Sequence, residues 1–222
     1  MEPQRVAECI RLLEEEYGVP RRHDIDPVDL LIMTVLSQNT SDVNSLKAFA
    51  QLKKDFPGHE QILAAPAQAV AESIRSGGLA DMKAGRIQEA LALIKQREGR
   101  IDIGILAGME REQAMEYLLS LPGVGPKTAS VVLLFAFGKS FLPVDTHVYR
   151  LSRRLGLLDD GVRQERAQAI LESIVPADKY LSFHLNLINH GRWVCRARRP
   201  RHERCVLKDC CDSFLHGRCQ KA

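Results

Sequence analysis

The sequence predicts an all-α fold. Apolar residues recur at helical spacing in one segment after another, strand-type alternation is nearly absent, and the connections between segments are short. With 222 residues the chain suits one large or two small domains and is ample for a packed core.

The elements follow in order. Val6, Ile10, Leu12, Leu13 and Tyr17 give the first helix an apolar side, and Gly18 stops it. Asp26-Pro27 reads as N-cap and first position of a helix through Val28, Leu31, Ile32 and Val35. The polar stretch Ser37–Asp42 breaks that pattern, and another helix runs to about Phe56, ended by Pro57-Gly58. Pro66 opens a short helix that ends at Gly77-Gly78. Met82–Gln96 is amphipathic through Ile87, Leu91 and Ile94, and Glu110–Leu119 forms the next helix. Asp145 caps a helix through Val148, Leu151 and Leu155, and two more are expected near Gln164–Ile174 and Asp178–His190.

Between the helix ending near Leu119 and the apolar run Ala129–Phe137 stands Leu121-Pro122-Gly123-Val124-Gly125-Pro126-Lys127-Thr128-Ala129. The glycines permit a tight turn with positive φ and a close approach of backbone to a partner. Pro126 suits the first turn of a helix, where its missing N–H is no loss. The stretch therefore reads as a hairpin between two helices, with free N–H groups at the second helix able to take a DNA phosphate. Lys127 lies in that first turn. The positive end of a helix is a poor place for a structural cation, and a neutral amine there is a nucleophile. The plain alternative is an ordinary surface lysine.

Charge and cysteine distribution say more than the totals. The net charge of +3 is mild, but Arg192, Arg196, Arg198, Arg199, Arg201 and Arg204 crowd one segment with Glu203 as its only acid. Such a run is either a solvated loop or a grip on a nucleic-acid backbone, giving affinity with little sequence specificity. Five of the six cysteines fall between 195 and 219, which points to a metal site before disulfides in a reducing compartment. Cys9 stands apart and reads as a core cysteine. No apolar run is long enough to span a membrane and the N-terminus does not read as a signal peptide, so an intracellular, cytoplasmic protein is expected.

The hairpin resembles the helix-hairpin-helix of the endonuclease III superfamily of DNA glycosylases, whose pattern LPGVGxKTA is followed by an aspartate in V-D-T-H. Here these are Leu121–Ala129 and Val144-Asp145-Thr146-His147, and Lys127 and Asp145 keep the family's spacing of eighteen positions. The resemblance extends more weakly from about Asp26 to the last cysteines. It implies two helical lobes with the DNA site in the cleft between them: a six-helix barrel with the hairpin over 24–141, and a cluster-containing lobe made of 1–23 and 142–222. It also implies a probe-free assignment of chemistry: the Lys127 amine attacks C1′ of a flipped-out nucleotide, and β-elimination then cuts the strand. Asp145 stabilises the developing sugar cation, a role that coexists with helix capping.

Further positions carry over one by one. Leu121, Gly123, Val124 and Gly125 form the phosphate-gripping turn. Gln38 and Leu79 match residues that fill the gap left by the flipped nucleotide, although Ala80-Asp81-Met82 departs from the family's tyrosine-containing sequence. The alternatives are a loop glutamine and a packed leucine. His147 either lies near DNA or is a helix-surface histidine. Arg196, Arg198 and Arg199 are expected on the DNA backbone. Thr34 stands where adenine-removing relatives carry a catalytic glutamate, and those relatives generally lack the lysine, so a bifunctional glycosylase with lyase activity is favoured.

The family's cluster motif C-x6-C-x2-C-x5-C, preceded by H-G-R-x-x-C, aligns with His190-Gly191-Arg192-Trp193-Val194-Cys195, then His202, Cys205 and Cys211. The second ligand position is thus a histidine. Either His202 is the fourth ligand of a [4Fe–4S] cluster, or Cys219 or Cys210 reaches in, or the site holds zinc in a Cys₃His set. Register favours the cluster and His202. The expectation is a monomeric base excision repair enzyme acting on double-stranded DNA with an oxidised pyrimidine or an abasic site. Two alternatives stay open: the same fold acting on alkylated purines or mismatched pyrimidines, and a non-catalytic DNA-binding or redox-sensing protein.

Overall fold

The computed structural model describes residues 3–218. Among these there is no strand; twelve α-helices and several single 3₁₀ turns make up the regular structure. No helix among the described residues is long and apolar enough to cross a membrane. The chain divides into two compact units, His23–Lys139, and Met1–Arg22 with Ser140–Ala222.

The chain opens on α1 (Pro3–Tyr17), which belongs to the discontinuous unit. The continuous unit contains α2 (Pro27–Leu36), α3 (Asp42–Asp55), α4 (His59–Ala64), α5 (Ala67–Ser73), α6 (Ala80–Glu98), α7 (Arg111–Leu119) and α8 (Pro126–Phe137). Asp26 caps α2 as its sequence suggested, with one carboxylate oxygen accepting from the Val28 and Asp29 amides at 2.9 Å. The core of this unit is aliphatic: Leu36, Leu52, Ile62, Val70, Ile94, Leu118 and Leu133 are fully buried. Helix α4 had no clear sequence signal, being a single capped turn and a half. Helix α6 begins at Ala80, two residues before its expected start, because Leu79 adopts a left-handed conformation (φ 50°) at the N-cap position and the chain turns helical immediately after it.

The discontinuous unit adds α9 (Thr146–Arg154), α10 (Gln164–Ile174), α11 (Tyr180–Trp193) and α12 (Asp212–Leu215). Helix α11 packs against both α1 and α9. On its α1 side, Glu14 accepts from Ser182 Oγ at 2.6 Å and from the Lys179 ammonium at 3.0 Å, while Asn186 donates to the Gly18 carbonyl at 3.0 Å. Burial pushes the Glu14 carboxyl up, but the Ser182 hydrogen bond and the Lys179 charge outweigh it and hold the group below its ordinary range. Helix α11 starts at Tyr180, after a 3₁₀ turn over Ala177–Lys179, and continues three residues past His190.

Candidate functional site

The hairpin leaves α7 at Leu119 and enters α8 at Pro126. Gly123 holds φ +76°, a conformation closed to most side chains. A Cβ there would also meet Arg86 Cδ at 2.7 Å, so the arginine stem packs directly against the turn. Gly125 differs from the sequence reading: its φ is −99°, ordinary extended backbone, and what it offers is open space beside its Cα. Leu121 and Val124 are buried and anchor the turn, whereas Gly125, Pro126 and Lys127 are exposed. The turn thus presents backbone and one amine to solvent at the start of a twelve-residue helix.

Gln38 is tied to this turn. Its side-chain amide donates to the Gly123 carbonyl at 3.0 Å and to Thr128 Oγ1 at 3.2 Å. Leu79 stands 53% exposed at the tip of its own turn, an unusual place for a leucine in a left-handed conformation. Beneath both turns lies a residue the sequence reading missed. Lys83 is fully buried, and its ammonium donates to the Leu36 carbonyl at 2.6 Å and the Gly77 carbonyl at 2.9 Å. Desolvation holds its pKa below the ordinary lysine value. The available signal was its place four residues before Ile87, in line with the apolar face Ile87, Leu91 and Ile94. Thr34 is buried as well, and its hydroxyl donates to the Leu30 carbonyl at 2.8 Å.

Asp145 is half-buried at the N-cap of α9, where Oδ1 accepts from the Val148 amide at 2.8 Å. His147 is not a free surface residue. Its ring packs beneath Gly191, where a Cβ would lie 2.8 Å from Nδ1, and Arg150 donates to Nδ1 at 3.2 Å. Burial is the main cause that lowers its pKa, with Arg150 and Arg192 adding to it. Gly191 is therefore needed for the close approach of α11 to α9.

The cysteine loop is held from α9, a support not read from the sequence. Arg150 donates to the carbonyls of Gly191 and Cys195 at 3.0 and 3.1 Å, and Arg154 to those of Arg196 and Ala197 at 2.7 and 2.9 Å. Their spacing of one helical turn was the available signal. Arg198 and Arg199 are exposed, and Arg196 is half-buried.

Cys195, His202, Cys205 and Cys211 line one small cavity with Phe214; the same three cysteines line an adjoining one with His190 and Arg154. Two polar groups lie against the sulfurs: Arg154 donates to Cys195 Sγ at 3.2 Å, and His190 Nε2 lies 3.3 Å from Cys205 Sγ. Burial pushes the Cys205 thiol up to about 12, so a cation is required to displace its proton. Were Cys205 a thiolate, His190 would donate from Nε2, leaving Nδ1 to accept from the Tyr17 hydroxyl 2.8 Å away. Three thiols and an imidazole around one cavity supply the donor types of an iron–sulfur or zinc site, but no three of their ligand atoms lie within 4.8 Å of one another, a spacing too wide for one zinc ion and open to a cluster.

Cys9 is buried, as read, but it does not stand apart. Its sulfur lies 3.4 Å from Cys210 Sγ, while Cys210 itself donates to the Leu207 carbonyl at 3.3 Å. Cys210 does not line either cavity. Cys219 lies outside the described residues.

Comparison with known proteins gives consistent matches. Residues 32–177 match the family described as HhH-GPD superfamily base excision DNA repair protein. Endonuclease III of Thermotoga maritima is 35% identical over 197 residues, covering 88% of this chain and 87% of that protein. Endonuclease III of Synechocystis is 37% identical over 216 residues, covering 95% and 93%. Among solved structures, a trapped endonuclease III–DNA covalent intermediate superimposes with a TM-score of 0.84 at 28% identity, covering 98% of this chain and 99% of that one. A non-covalent endonuclease III–DNA complex gives 0.84 at 29% identity, with 98% of each chain covered.

Proposed function

The chain belongs to the HhH-GPD superfamily of base excision DNA repair proteins, and on that premise we propose that it is a bifunctional DNA glycosylase and abasic-site lyase acting on double-stranded DNA. The carrying observation is the exposed Lys127, set in the first turn of α8 beside the open space at Gly125.

The Lys127 amine, as the free base, adds to C1′ of a flipped-out nucleotide as the glycosidic bond breaks and then loses a proton, while the base leaves with the bonding pair and takes up a proton. The Asp145 carboxylate stabilises positive charge on the sugar as that bond breaks. The sugar ring opens to a Schiff base on Lys127. Loss of a C2′ proton then expels the 3′ phosphate, and water releases the enzyme. Gln38 and Leu79 occupy the space the nucleotide vacates. Leu121, Gly123, Val124 and Gly125 shape the turn that takes a backbone phosphate, and Arg196, Arg198 and Arg199 add backbone contacts. His147, in the first turn of α9, lies near the DNA in this reading. The substrate class is an oxidised pyrimidine or an abasic site.

Cys195, His202, Cys205 and Cys211 would hold a [4Fe–4S] cluster in this reading, supported by the shared cavity, the Arg154 N–H directed at Cys195 Sγ and the His190 ring nitrogen beside Cys205 Sγ. When bound, the cluster would supply redox-active iron, and Cys195 and His202, at the two ends of the arginine-bearing segment, would hold it from either side.

Borohydride trapping tests the chemistry. With abasic duplex DNA the protein forms a covalent complex that disappears in Lys127→Ala. Wild-type protein that binds this DNA yet never traps would leave only a DNA-binding role. A set of duplexes, each carrying one lesion, identifies the preferred base.

A further inference from the structure

We propose that Lys83 is a positioning residue that locks the Gln38 turn and the Leu79 turn into one rigid unit for insertion into DNA. The inference rests on the reading of Gln38 and Leu79 as the inserting residues.

Three observations carry it. The first is the connection itself. Leu36 is the last residue of α2, so its carbonyl is one of those a helix end leaves without a partner, and Gly77 closes the 3₁₀ turn Arg75–Gly77. Lys83 donates to both from inside the protein, at 2.6 and 2.9 Å. A cation at a helix C-terminus is favoured by the helix dipole, which explains how a fully buried lysine is tolerated.

The second is where the two carbonyls sit. Asn39, three residues after Leu36, holds φ 54°, and Leu79, two residues after Gly77, holds φ 50°. These are two of the three non-glycine residues with positive φ among the described residues. Asparagine takes a left-handed conformation readily, but a leucine there persists only where the surroundings over-determine it. Lys83 holds the chain three residues before Asn39 and two before Leu79.

The third is continuity. Gln38 donates to the Gly123 carbonyl, so a hydrogen-bonded frame runs from the hairpin turn through Gln38 and Leu36 to Lys83, and on to Gly77 and Leu79. Phosphate contact at the hairpin and insertion at the two turns are thereby held in fixed relation, so little ordering remains to be done when DNA arrives.

Lys83→Met keeps the length of the side chain and removes its donors. The probe is a duplex with a tetrahydrofuran abasic-site analogue opposite 2-aminopurine, compared with an undamaged duplex. The expected result is a variant with wild-type helical content whose preference for the abasic duplex falls by about tenfold or more. Its 2-aminopurine signal on binding is weaker, and Leu79→Ala adds no further loss in its background. Unchanged preference, or losses from Lys83→Met and Leu79→Ala that simply add, overturns the inference. Should Lys83→Met not fold, Lys83→Arg, which keeps donors, is read instead: retained preference supports the proposal and loss overturns it. The underlying reading is checked separately. If Leu79→Ala in the wild-type background leaves the preference intact, insertion by Leu79 is wrong and the inference falls with it. If Leu79→Ala costs preference and Lys83→Met does not, only the role of Lys83 falls.

Discussion

The side-chain amide of Gln38 hydrogen-bonds the backbone carbonyl of Gly123 across 3.0 Å, joining two turns that lie 85 positions apart in the chain. One turn carries a residue proposed to enter the helix stack, and the other carries the exposed backbone proposed to meet a phosphate. Their connection means that changes to either turn are felt at both.

The observed capping role of Asp145 and its proposed catalytic role are separable. Asn is as good an N-cap as Asp, so Asp145→Asn keeps the hydrogen bond to the Val148 amide and leaves the unfolding midpoint near wild type. It removes the charge, and turnover on a base lesion is expected to fall by about 10²–10³-fold, the scale seen when a fixed electrostatic partner is lost. Asp145→Ala loses the same activity and in addition about 1 kcal/mol of stability. Denaturant unfolding beside single-turnover kinetics separates the two effects.

Gly123→Ala forces a side chain into φ +76° and against Arg86. A loss on the order of 1–2 kcal/mol in stability is expected, with weaker binding to undamaged duplex. Adding Arg86→Ala relieves the contact but not the backbone strain, so the double variant recovers only part of the loss. Full recovery would show that contact alone decides this position.

The metal set is read from iron content in freshly purified protein. Cys195→Ala and His202→Ala are each expected to lose iron. Cys210→Ala is expected to retain it, because that thiol faces Cys9 at 3.4 Å and the Leu207 carbonyl. The opposite result for His202 and Cys210 overturns the ligand set. Colourless protein containing zinc replaces the cluster with a Cys₃His zinc site.

Glu14 gives a pH-dependent stability with a definite sign. Its pKa is lower in the fold than in the unfolded chain, so its contribution is present above the unfolded carboxylate pKa and is lost as pH falls through the folded one. Glu14→Gln is therefore expected to be less stable than wild type by on the order of 1 kcal/mol near neutral pH, the partner Lys179 being partly screened by solvent. The gap closes as acid is added. Urea unfolding of both proteins at pH 7 and pH 3.5 checks it; a gap that is constant with pH assigns the effect to packing instead.

Several features were determined by the sequence alone, and all of them are local. The caps at Asp26 and Asp145, the turn at Gly123, the proline opening α8 and the span Gln164–Ile174 each follow from the demands of one stretch of backbone on its own residues. The eighteen-position spacing of Lys127 and Asp145 and the register of Cys195, His202, Cys205 and Cys211 are likewise present in the bare string of letters. The packing of α1 on α11 had no such local signal and entered only through the family resemblance.

Tertiary structure alone decided the rest. It buried Lys83 beneath two turns, directed Cys210 to a partner 201 positions away, tied Gln38 to the hairpin and set His147 under Gly191. Helical periodicity tells which face of a helix is apolar, but it does not say which distant carbonyl or sulfur will meet that face. A buried polar group must find a partner, and the partner is chosen by how the helices pack, after their local signals have been spent.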